Sequence, residues 1–150
     1  VESLVAISVL LIGVLGPLVL ATRSISDGIS YKNKITASYL AQEAAELVRG
    51  NRDLNTAKGN SWDTDFWDNG SDVCTTSNPC SVSNAGSNDI SIEDCDSNGL
   101  CSITLNSGAT FTREMVISKV NERAEIDITV SWSEKGLPKT YMLNTKLFPF

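Results

Sequence analysis

The sequence predicts an α+β fold, with a long N-terminal α-helix packed on a C-terminal antiparallel β-sheet and disulfide-closed loops between them. Three observations predict it. Ser3 to Thr22 is an uncharged run of 20 residues. Apolar residues then recur at helical spacing as far as Val48, and the last 40 residues alternate apolar and polar in three blocks. At 150 residues the chain has the length of one domain.

The first element is close to pure aliphatic from Leu4 to Ala21. Twenty residues rising about 1.5 Å each cover about 30 Å, the thickness of a bilayer's hydrocarbon layer. The rest of the chain is too small to surround so apolar a helix, so membrane insertion is expected. A cleaved signal peptide needs a basic opening, a shorter apolar stretch and a small-residue cleavage site. This run opens on Glu2 and passes through Arg23 into further helical pattern, so the segment is expected to be retained. Gly13, Gly16 and Pro17 interrupt it. A proline inside a helix costs about 3 kcal/mol and leaves a carbonyl unpaired, so the expectation is a kink or a helix packed among copies of itself.

Residues 1–24 are accordingly expected to form the membrane segment, and residues 25–150 a globular domain outside it. In the domain's helix, over 25–49, Ile25, Ile29, Ile35, Tyr39, Leu40, Ala44, Leu47 and Val48 form an apolar stripe for the sheet to cover. Gly50-Asn51 reads as its stop. Unbroken from residue 3 to 49, the helix would run about 70 Å.

Residues 50–110 are rich in Ser, Asn, Asp and Gly and predict loops, with short strands at Ile90–Glu93 and Ser102–Leu105. Trp62, Phe66 and Trp67 are expected to pack under these loops. Residues 111–150 hold the strand signals: Phe111–Ser118, Ala124–Ser133 and, after a turn at Glu134-Lys135-Gly136, Lys139–Phe148. In the second, Ile126, Ile128, Val130 and Trp132 alternate with Asp127, Thr129 and Ser131, as in a sheet with one buried face.

The four cysteines fall as Cys74-x5-Cys80 and Cys95-x5-Cys101, and the chain has no histidine. That excludes histidine triads and mixed Cys/His zinc sites. Two local disulfides are the better reading, although four cysteines allow three pairings. They argue for an oxidising location. Arg23, Lys32 and Lys34 beside the apolar run would favour the cytoplasm, and a basic leader upstream of Val1, later removed, would resolve that tension.

The net charge of −6 is concentrated in residues 56–112, with one basic and eight acidic residues. Such a face repels phosphate backbones, so no direct nucleic-acid contact is expected. Asp94-x-Asp96-x-Asn98-Gly99 copies the start of an EF-hand loop and marks Asp94, Asp96 and Asn98 as candidate Ca²⁺ ligands. Leu105 stands where the bidentate glutamate belongs, so it is half a motif; a plain disulfide-closed turn is the first expectation, and no cofactor other than Ca²⁺ is expected. Asn69-Gly70-Ser71 is a glycosylation sequon. No nucleophile, base and orienting group can be assembled, so no enzyme is expected.

Val1-Glu2-Ser3-Leu4-Val5-Ala6-Ile7-Ser8-Val9-Leu10-Leu11-Ile12-Gly13, with the later Tyr39-Leu40-Ala41-Gln42-Glu43-Ala44-Ala45-Glu46-Leu47-Val48-Arg49, resembles the mature start of bacterial type IV pilins and pseudopilins. The resemblance covers the helical N-terminal third. It departs from the family's usual phenylalanine start, and the cysteines lie mid-chain. It implies a leader cut by a prepilin peptidase, N-terminal methylation, residence in the cytoplasmic membrane, and assembly by separate pilus machinery into an extracellular filament. It implies that Glu2 meets the N-terminal ammonium of a neighbouring copy, which relieves a carboxylate otherwise costly in hydrocarbon. It also implies that Gly13, Gly16 and Pro17 mark the stretch that loses helix in the filament. Adhesion, motility or DNA capture would then belong to the filament and its tip. A major pilin is the first expectation, and a minor pilin or secretion pseudopilin the second. A single-pass anchored Ca²⁺- or ligand-binding domain is the expectation from another class.

Overall fold

A computed structural model of the chain describes residues 1–68, 71–72, 74–86, 89–95, 99, 101–106 and 108–149. Helix α1 spans Glu2–Ala57. Among the described residues eight strands follow: β1 (Trp67–Asp68), β2 (Ser71–Asp72), β3 (Cys80–Gly86), β4 (Asp89–Asp94), β5 (Ser102–Thr104), β6 (Thr110–Val120), β7 (Arg123–Glu134) and β8 (Leu137–Leu147). The α+β fold is the one the sequence predicts. The chain divides into two compact units, Val1–Ile35 and Thr36–Phe150.

The first unit is helical and bare. Every large apolar side chain from Val1 to Leu20 is exposed. Among the described residues, α1 is the helix long and apolar enough to cross a membrane. Pro17 lies inside α1, which runs through the Gly13–Pro17 stretch without a break. Pro17 has no N–H to give the Gly13 carbonyl four residues back.

In the second unit a six-stranded antiparallel sheet follows the order β4-β3-β6-β7-β8, with β5 also paired to β6. The helix face covering it is smaller than the sequence suggests. Ala37, Ala41, Ala44, Ala45 and Val48 are the buried apolar residues, whereas Tyr39 is exposed, as are Ile25, Ile29 and Ile35 of the first unit. Of the expected stripe, Ala44 and Val48 are buried and Leu40 and Leu47 pack partly against the core, whereas Ile25, Ile29, Ile35 and Tyr39 do not belong to the covered face. Alanines leave room for the sheet's larger side chains: Phe111, Met115 and Ile117 from β6, Ile126, Ile128 and Val130 from β7, and Val82 from β3.

The stop at Gly50 is corrected, because α1 continues to Ala57. Buried Asn51 and Asn55 extend the covered face by two turns. The helix ends at Gly59, whose φ of +78° allows the Asn60 N–H to reach the Asn55 carbonyl at 2.9 Å, a Schellman closure. Gly50 serves packing instead, since a Cβ there would lie 3.1 Å from Ile90 Cδ1.

In the expected loop region β4 and β5 lie where short strands are expected, and the correction is the helix end together with β1, β2 and β3. The three C-terminal strands appear where expected, each slightly longer. The β6–β7 turn puts Asn121 at φ +59°, and the β7–β8 turn puts Lys135 and Gly136 at +53° and +77°. Two consecutive positive φ values match a type I′ hairpin, whose twist suits paired strands.

Candidate subunit interface and loop sites

Glu2 stands in the first turn of α1 and is exposed, at the head of the bare aliphatic stretch. Carboxylates are favourable at a helix N-terminus, where unpaired N–H groups leave partial positive charge. A Cβ built on Gly13 or Gly16 meets nothing within 4 Å, so both small residues lie open on the helix surface. The first unit therefore offers one acidic group at its start, a run of aliphatic side chains, and a backbone with one carbonyl left over.

The second unit is fastened from β6. Arg113 is buried, with its side chain 7% exposed, in a strand whose neighbours on the same face are Phe111, Met115 and Ile117. Its Nη1 donates to the Leu40 carbonyl and to Glu43 Oε2, both at 3.2 Å, and Nη2 donates to the Val82 carbonyl at 2.7 Å. One guanidinium thus joins α1, β6 and β3. Burial lowers the pKa of Arg113 and Glu43 partly opposes that. Sequence reasoning missed this residue. The available signal was an arginine at a core position of an alternating strand, with a glutamate on the helix to match it.

A second charged group lies on the sheet's outer surface. Glu125 accepts from Arg123 at 2.8 Å and meets Lys146 Nζ at 3.2 Å. The hydrogen bond from Lys146 is the largest cause that lowers the Glu125 carboxyl pKa; desolvation opposes it, and the Lys146 charge and then Arg123 lower it further. Arg49 reaches Thr145 Oγ1 at 3.1 Å, which ties α1 to β8.

The cysteines pair locally, Cys74 with Cys80 and Cys95 with Cys101. The first bridge is wholly buried, whereas Cys95 of the second is half-buried. Both are stitched to β6, because the Arg113 N–H donates to the Cys101 carbonyl at 2.7 Å and the Ile117 N–H to the Cys74 carbonyl at 2.9 Å. Phe66 is buried and Trp62 half-buried, with ring centres 6.1 Å apart.

Of the candidate Ca²⁺ ligands, Asp94 closes β4, paired in register with Cys80, while Asp96 and Asn98 lie outside the described residues. Asn69 of the sequon lies outside them as well. Among the described residues no group of three or more acidic or cysteine side chains is placed to hold a metal. An open groove of about 340 Å³ at the β6–β7 turn is lined by Val120, Asn121, Glu122, Arg123, Phe148 and Pro149. Comparison with family models, with characterised proteins and with solved structures finds no match to this chain.

Proposed function

We propose that this chain is a structural subunit, a major pilin, of an extracellular type IV pilus-like filament. The observation that carries the reading is the contrast within α1. Its first part bares an aliphatic surface from Leu4 to Leu20, while its last part buries an alanine stripe under a sheet. A helix so exposed in water is unfavourable, at roughly 25 cal/mol per Å² of apolar surface. Lipid before assembly and neighbouring helices after it are the two environments that remove that cost.

On this reading the monomer waits in the cytoplasmic membrane with its disulfide-bearing domain outside, and assembly machinery moves it into the filament. Glu2 pairs with the N-terminal ammonium of the next copy. The charge pair neutralises a carboxylate that hydrocarbon would otherwise penalise, and it sets the axial step between copies. The Gly13–Pro17 stretch, already missing one hydrogen bond, is where helix yields most cheaply.

The test is electron microscopy of material sheared from producing cells, with the fibre bands identified by mass spectrometry. Long thin fibres dominated by this chain are the expected result. A chain found only in the membrane fraction, with no fibre containing it, overturns the reading.

A further inference from the structure

The two edge strands of the six-stranded sheet carry opposite charge. β4, at one edge, reads Asp89-Ile90-Ser91-Ile92-Glu93-Asp94, with three acidic residues and no basic one. β8, at the other, reads Leu137-Pro138-Lys139-Thr140-Tyr141-Met142-Leu143-Asn144-Thr145-Lys146-Leu147, with two lysines and no acid. Glu93, Lys139 and Lys146 are all exposed.

The edges also match in direction. Four antiparallel steps separate β4 from β8, through β3, β6 and β7, so the two edge strands run the same way. They match in face as well. Ile90 and Ile92 of β4 pack against the same core as Tyr141 and Leu143 of β8. A copy of the domain displaced sideways without being turned over therefore meets β8 with its own β4, parallel, with apolar residues on one side.

We infer that β8 of one copy pairs with β4 of the next, so that the sheet continues from subunit to subunit. This deepens the filament reading and rests on it for one point, that neighbouring copies face the same way. The six residues of β4 lie along residues 142–147. Ile90 then sits beside Leu143 and Ile92 beside Thr145 on the helix side. Ser91 sits beside Asn144 and Glu93 beside Lys146 on the outer side. Lys146, which meets Glu125 of its own chain at 3.2 Å, gains a second carboxylate across the junction.

The same features disfavour the obvious alternative. Two β8 edges meeting about a two-fold axis set two lysine-bearing strands side by side with none of the carboxylates that β4 supplies. Pro138 has no N–H to offer, so pairing stops at that end of β8. A contact between two different edges does not close on itself and propagates along a row of copies.

The experiment uses the full chain carrying Ser91→Cys and Asn144→Cys together, oxidised mildly both in sheared filaments and after detergent extraction from membranes. Non-reducing gels should show a ladder of multimers that neither single variant gives. Adding Glu93→Lys should lower the ladder yield several-fold while the melting temperature holds, and Glu93→Asp should restore it. Filaments without a ladder overturn the edge pairing and leave the filament reading standing. A ladder from extracted protein that never forms filaments supports the edge pairing and removes the filament reading. Neither ladder nor filament removes both. Dimers from Asn144→Cys alone, or a ladder indifferent to Glu93→Lys, overturn the pairing as drawn.

Discussion

Arg113 on β6 and Glu43 on α1 meet at 3.2 Å, and their exposures are unequal: the arginine side chain is 7% exposed and the glutamate 59%. The pair is therefore a buried cation whose main partners are the carbonyls of Leu40 and Val82, with a solvent-facing carboxylate in support.

That asymmetry sets the expected mutational costs. Arg113→Ala takes the guanidinium donors away from the Val82 and Leu40 carbonyls and opens a cavity, and should destabilise by about 3 kcal/mol. Glu43→Gln should cost under about 1 kcal/mol, because water screens an exposed partner. Denaturant unfolding of both variants and of the double variant checks the order.

Gly50 lies within a helix, where alanine is favoured by about 1 kcal/mol, yet the new Cβ would sit 3.1 Å from Ile90 Cδ1. Shortening Ile90 removes that contact. Gly50→Ala on an Ile90→Val background should therefore gain nearly the full amount, and more than Gly50→Ala alone. A thermal double-mutant cycle measures the difference.

The two bridges should separate under reductant. Cys74 and Cys80 are fully buried, whereas Cys95 is half-buried, so the Cys95–Cys101 bridge should open first under mild dithiothreitol. Each closes a short loop, and replacing either pair by serine should cost about 2 kcal/mol. Timed alkylation with mass spectrometry gives the order, and thermal melts give the cost.

Glu125 has its folded-state pKa lowered, so the fold binds its proton less readily than the unfolded chain does. Its contribution to stability is present above the unfolded carboxylate pKa and is lost as pH falls through the lower folded value. Glu125→Gln should flatten the fall of melting temperature in that acid window and leave the profile above it parallel to the parent. Melts in a pH series between neutral and strongly acid read this directly.

Charge reversal at the start of α1 isolates the role proposed for Glu2. Glu2→Lys should abolish filaments while the melt of the disulfide-bonded domain stays unchanged. Normal filaments from that variant would remove the docking role.

Much of this fold was legible because its signals are local. The β7 alternation from Ile126 to Trp132 needs only a two-residue period, and the Glu134-Lys135-Gly136 turn needs only residues that tolerate positive φ. The uncharged run marks itself. Ala44 and Val48 of the expected helix stripe are buried, but Ala37, Ala41 and Ala45 were missed because Ile35 and Tyr39 outweigh alanines on any hydrophobicity scale, although proximity to the sheet selects for size. Gly50 was misread because its purpose lies in Ile90, 40 residues away. β3 was missed because Cys80-Ser81-Val82-Ser83-Asn84 is held by its partners β4 and β6 rather than by its own preferences. Arg113 shows the same limit at the site, since its partners are backbone carbonyls on elements distant in sequence.

The disulfides have a mechanical consequence. Each closes within a loop of seven residues, and neither links α1 to the sheet. Tension applied along the helix therefore meets no covalent stop at the helix–sheet junction. The load passes through the alanine packing, through the guanidinium of Arg113, and through the Arg49 contact with β8. Under pulling, that junction behaves as a non-covalent fuse, while the stapled loops beyond it keep their shape.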